Sequence, residues 1–178
     1  GARAEGAWRQ AQQLLPLPAH RAGPAADPRV DGVAPAHLHA LGLGADPDGP
    51  YLDFEGDAYT ARSMDAAGNR CARVLADLGV CRGDRVATLL ENVPEQVISF
   101  FGAVKLGAIQ VPVNPKSSRS ELAGFVQQAA PRLIVTDDDL APLVGDAPRV
   151  DVAELFAAAP DGRGPANVDE RDVAVIIP

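Results

Sequence analysis

The sequence predicts an α/β fold: a mostly parallel sheet with helices packed on both faces. Three observations carry this. From Thr60 onward, segments whose apolar residues recur at three- and four-residue steps alternate with short β-branched runs. Residues 96–115, QVISFFGAVKLGAIQVPVNP, join an amphipathic helix to a period-two strand through one glycine, which is the return half of a βαβ unit. Residues 173–177, VAVII, form an apolar run without a break, as expected of a strand covered on both faces. Right-handed crossovers follow from the parallel arrangement.

Residues 1–48 are rich in Ala, Pro, Gly and His. AWRQAQQLL, residues 7–15, allows two helical turns around Trp8, Leu14 and Leu15 before PLP ends them. Prolines then recur too often for a packed element, so this part reads as an extended arm or linker. His37 and His39 make an HxH pair with no third ligand, and surface histidines on a short helix explain it better than a metal.

Residues 51–60, YLDFEGDAYT, set Tyr51, Asp53 and Glu55 on one side and Leu52 and Phe54 on the other, with EGD as the turn. This predicts a β-hairpin. Thr60 then caps a helix over residues 61–78 with Met64, Ala67, Cys71, Val74, Leu75 and Leu78 as its apolar stripe, and Gly79 stops it. Gly83 and Asp84 turn the chain into a strand, RVATLL, over residues 85–90.

In the central stretch Pro94 suits the first helical turn, where its missing N–H costs nothing, and Glu95 puts negative charge beside the helix N-terminus. Val97, Ile98, Phe101 and Val104 share one face, and Gly107 stands where a left-handed cap is wanted. Ile109, Val111 and Val113 alternate as a strand does.

Ser118 and Glu121 have capping-box spacing ahead of a helix whose buried row is Leu122, Phe125, Val126 and Ala129. RLIVT, residues 132–136, is a strand, and Asp137, Asp138 and Asp139 follow it. Three carboxylates could hold a metal, but aspartate is also the ordinary helix N-cap. DLAPLV reads as one short turn, so caps and solvated charge are the preferred reading. RVDV (149–152) is a short strand, AELFAAA (153–159) a short helix and PDGRGPANVDERD (160–172) a polar loop.

Sixteen basic against 24 acidic residues leave a net charge of −8, which disfavours nucleic acid and anionic lipid as partners. One Trp, two Tyr and five Phe, none set in a basic stripe, leave no stacking platform for single strands. Cys71 and Cys81 lack the spacing of a metal site and read as ordinary thiols, which fits a reducing, cytoplasmic setting. No apolar run reaches the ~20 residues of a membrane helix, and GARAEGAWRQ holds no hydrophobic signal core. Met64 is the only methionine and the last residues are an apolar run, so the chain is expected to be a piece of a longer protein.

With the elements in place, a resemblance emerges. The segments RGDRVATLLEN, FFGAVKLGAIQVPVNP and the SxxEL that follows, in this order and spacing, resemble the amino-terminal part of the adenylate-forming superfamily, the AMP-binding acyl-CoA synthetases and their relatives. The similarity runs from about Tyr51 to Ile177. It implies an α/β subdomain of a large N-terminal domain over residues 49–178, with 1–48 as an arm. It also implies a parent that joins a carboxylic acid to ATP as an acyl-adenylate and passes the acyl group to a thiol such as coenzyme A, with Mg²⁺ as Lewis acid. In that family the strand matching DVAVII leads into the Gly/Ser/Thr-rich phosphate loop. This sequence stops at Pro178, so no catalytic, cofactor-binding or metal residue is carried over. The 178 residues alone are expected to be inactive.

Two departures from the family pattern concern caps. Val93 stands where a small polar residue often precedes the proline, which shifts capping to Asn92 or to water. Ser63 replaces the usual glutamate after Thr60, which is expected to remove a capping box.

Open α/β sheets bind ligands at the carboxyl ends of their strands, which marks Glu91, Asn92, Asn114 and Thr136 as positions to watch. Turn and cap chemistry is the plainer reading of each. Lys105 and Lys116, the only lysines, are expected to be solvated. VPVNP resembles carboxylate–CoA ligases more than amino-acid-activating modules. An amino-acid or carrier-protein-loading adenylation domain is the alternative, and a non-catalytic α/β binding module is a third reading. A homo-oligomer is compatible with all three.

Overall fold

A computed structural model describes residues 46–157 and 174–177. The readings placed on residues 1–45 and 158–173, including the Trp8 helix, His37, His39 and the polar loop, lie outside the described residues.

The hairpin forms as its alternation requires. Strands β1 (Pro50–Phe54) and β2 (Asp57–Thr60) pair antiparallel, with a register irregularity between Pro50 and Leu52. Glu55 and Gly56 both take positive φ at the turn. Leu52 and Tyr59 lean on the core while Asp53 and Glu55 face solvent.

Helix α1 (Ala61–Asp77) begins at Thr60, whose Oγ1 accepts the Ser63 N–H at 3.1 Å. The expected loss of the capping box is corrected here. Ser63 Oγ reaches back and accepts the Thr60 N–H at 2.9 Å, because a hydroxyl two bonds from its own backbone spans the same gap that a glutamate usually spans. Met64, Ala67, Cys71 and Leu75 are buried as predicted, whereas Val74 and Leu78 are only half-buried at the margin.

Strands β3 (Arg85–Leu89), β4 (Ile109–Pro112), β5 (Leu133–Thr136) and β6 (Arg149–Asp151) make a parallel sheet in the order β4-β3-β5-β6. Between them run α2 (Pro94–Lys105), α3 (Arg119–Ala129) and the single turn α4 (Ala141–Val144), and α5 (Val152–Ala157) follows β6. One face of the sheet, with Val86, Leu133, Val135 and Val150, packs on α1, α2 and α5. The other, with Ala87, Leu89, Val111 and Ile134, packs on α3 and α4. The sheet therefore has helices on both faces, as the sequence predicts.

Helix α2 packs against both the sheet and α1, so it is buried over a wider arc than a four-residue stripe. Ser99, Gly102 and Ala103 are buried with Ile98, Phe101 and Val104, while Val97 is half-buried. A Cβ on Gly102 would lie 2.4 Å from Cys71 Sγ, so only glycine lets the two helices approach this closely. Val93 makes no side-chain cap, and neither does Asn92 for it. Gly107, at φ 70°, ends the helix as the spacing required.

In α3 the Ser118–Glu121 capping box is present, and the Ser118 hydroxyl and N–H, both bonded to the Glu121 carboxylate, hold its pKa below the ordinary range. Of its predicted buried row only Leu122 is fully enclosed. Phe125, Val126 and Ala129 are half-buried because α4, one turn long, is the only helix described beside α3.

The prediction of a final strand buried on both faces is also corrected. Residues 174–177 lie beside β4 through one parallel bridge, Gln110 to Val175, and Val175, Ile176 and Ile177 are 40%, 43% and 80% exposed. They sit at the sheet's outer edge beside β4, Ile177 the most open of them.

Candidate functional site

All four strands run the same way, so their carboxyl ends share one edge. The outgoing connections then divide. β3 leads through α2 on one face toward β4, and β5 leads through α4 on the opposite face toward β6. Since β3 and β5 are neighbours, the sheet has a topological switch point between them, flanked by residues 90–93 and 137–140.

Of the positions marked in the sequence, Glu91, Asn92 and Thr136 fall at this switch point. Thr136 is the Cα partner of Leu89, two residues before Glu91. Asn114 does not join them. It follows β4, which β3 separates from β5.

Local bonding accounts for most polar groups at this edge. Asn114 Oδ1 accepts the Lys116 N–H at 2.9 Å, and its carbonyl accepts the Ser117 N–H at 3.0 Å, which is turn chemistry. Asp137 Oδ1 accepts the Leu140 N–H at 2.7 Å and Asp151 Oδ1 the Ala153 N–H at 2.7 Å, so both aspartates cap the turns that follow them. Thr136 is 2% exposed, with its hydroxyl on the Asp137 carbonyl at 3.4 Å. Glu91 and Asn92 remain exposed. Burial, and then the nearby Asp151 and Asp138 carboxylates, raise the Glu154 pKa.

The lysines behave differently from each other. Lys116 is exposed, but Lys105 is half-buried and paired with Asp65 of α1, whose carboxylate also accepts from Asn69 at 3.1 Å. The expectation that Lys105 is solvated is therefore corrected: its stem lies along Gly68, where the helices meet closely.

Sequence reasoning missed a buried polar cluster. Thr88 and Gln110, 0% and 4% exposed, meet Gln96 of α2. Gln96 Nε2 donates to Thr88 Oγ1 at 2.9 Å, and Gln110 Nε2 donates to Thr88 Oγ1 at 3.2 Å and to the Gln96 carbonyl at 3.4 Å. The signal was the polar residue interrupting Ile109, Val111 and Val113, which period two assigns to a solvent face. In a sheet covered on both sides that face is also core.

A groove of about 350 Å³ opens between α3 and α4, lined by Leu122, Val126, Leu143 and Val144 with Arg119 and Gln127 at its rim. None of the four carboxyl-edge positions lines it. Among the described residues no three His, Cys, Asp or Glu side chains converge as a metal site requires. At this edge the Asn114, Asp137 and Asp151 side chains are each engaged by a turn N–H group.

These features define an open parallel α/β scaffold with a topological switch point at its carboxyl edge. The chain belongs to the AMP-binding enzyme family, which it matches over residues 43–177. It is 38% identical over 85 residues to the long-chain-fatty-acid–CoA ligase FadD13 of Mycobacterium tuberculosis (strain CDC 1551 / Oshkosh), covering 48% of this chain and 17% of that protein. It is 31% identical over 125 residues to the crotonobetaine/carnitine–CoA ligase of Escherichia fergusonii, covering 70% of this chain and 23% of that protein. Among solved structures, VinN in complex with L-aspartate is similar with a TM-score of 0.74 and 27% identity over 81% of this chain and 43% of that one. The matched region thus spans between about a sixth and a quarter of the two curated relatives. No helix among the described residues is long and apolar enough to cross a membrane.

Proposed function

We propose that this chain is the amino-terminal part of an ATP-dependent carboxylate–CoA ligase acting on a fatty or other acyl acid through an acyl-adenylate. Residues 49–178 are its α/β subdomain and residues 1–48 an arm. The observation that carries the proposal is the β3–α2–β4 unit. It holds RGDRVATLLEN and FFGAVKLGAIQVPVNP in the order of the family, and two curated relatives are named as CoA ligases. In this reading ATP, Mg²⁺, the acid and coenzyme A are handled by the full-length parent, and the present residues serve as scaffold.

A second reading, an amino-acid or carrier-protein-loading adenylation domain, is favoured by the likeness to VinN, solved with L-aspartate. Exchange of labelled pyrophosphate into ATP by the full-length parent, with fatty, aromatic and amino acids in turn, separates the two. Exchange with fatty or other non-amino acids is expected, and exchange with amino acids alone overturns the proposal. The 178-residue chain assayed by itself is expected to form no acyl-CoA.

A further inference from the structure

The attachments of residues 174–177 converge on one residue. Gln110 N–H donates to the Ala174 carbonyl at 2.9 Å, and the Ile176 N–H donates to the Gln110 carbonyl at 2.9 Å. Apolar burial is partial, since Val175, Ile176 and Ile177 are 40%, 43% and 80% exposed. The same Gln110 extends its side chain inward to Thr88 of the neighbouring strand and to the Gln96 carbonyl of α2. An apolar residue would fill this buried position without the desolvation cost that an amide carries. The amide instead binds β4 to two other elements at the point where the outer segment is held.

We propose that Gln110 is a latch. Its side-chain bonds hold the β4 peptide groups in the register that residues 174–177 need, so the edge segment docks only while the Thr88–Gln96–Gln110 cluster is intact. The cluster is a positioning device, and its effect belongs to the edge rather than to the sheet as a whole. In some coiled coils a single buried polar residue fixes register at a cost in stability, and the latch assigns Gln110 that kind of role.

Amide hydrogen exchange resolved by residue on the 178-residue chain tests this. Gln110→Leu removes the amide at similar volume, and Thr88→Val removes the shared hydroxyl without touching β4. Both variants are expected to speed exchange of the Ile176 amide by about tenfold, the scale of one hydrogen bond, while the Leu89 and Val135 amides at the sheet centre keep their wild-type rates. An unchanged Ile176 rate in either variant overturns the latch. So does a rise at Ile176 that only matches a rise at Leu89 and Val135, because that reports general loosening.

Discussion

Ser63 shows how much one hydroxyl decides. It closes the capping box of α1 from both directions, accepting the Thr60 N–H and donating to the Thr60 carbonyl at 2.9 Å. Ser63→Ala is expected to lower stability by about 0.5 kcal/mol in urea denaturation, whereas Ser63→Glu, which reaches the same N–H, leaves the midpoint unchanged. The two thiols divide at this scale too. Burial pushes the Cys71 thiol up to about 12, with the Ser99 hydroxyl pulling the other way, while Cys81 is exposed. A thiol-specific reagent at pH 8 should therefore modify one cysteine of the native chain rapidly, and Cys71 only on unfolding. Since the folded state keeps Cys71 protonated where an unfolded chain ionises it, stability is intact below the ordinary thiol range. It falls as pH rises through that range toward 12. Cys71→Ala should flatten that fall, as read from thermal midpoints between pH 8 and 11.

Among the elements, α1 and α2 form the tightest joint. Their crossing rests on Gly68 and Gly102, where a Cβ would meet Phe101 and Cys71. Gly102→Ala gains helix propensity of about 1 kcal/mol but forces a methyl against Cys71 Sγ and the Ala72 N–H. Overpacking of this kind costs about 1–3 kcal/mol, so a net loss in thermal midpoint is expected. The double variant Gly102→Ala with Cys71→Gly should recover part of it. This joint was partly legible from sequence. The stripes of Met64, Ala67, Cys71 and Leu75, and of Ile98, Phe101 and Val104, were visible as periodicity. That the stripes face each other across glycines was not, because periodicity identifies a face without naming its partner.

For the molecule as a whole, the test lies at the sheet's edges. An unbroken VAVII run reads as a doubly covered strand, and on that reading Ile177→Asp would be severely destabilising. In the structure Ile177 is 80% exposed, so the substitution is expected to change stability by less than about 0.5 kcal/mol, measured by chemical denaturation. The candidate ligand edge was read with similar unevenness. Glu91, Asn92 and Thr136 were legible because a parallel sheet puts all its carboxyl ends together. The separation of Asn114 was not, since it depends on β3 lying between β4 and β5.

The order of elements, the capping glycines and the family of this chain are written in local patterns, because helix and strand periods, turn residues and caps act over a few neighbouring positions. Strand order, the switch point between β3 and β5, and the burial of Thr88 and Gln110 were decided only by the tertiary structure. Each depends on what packs on the far side of a residue, and residues distant in the chain supply that neighbour.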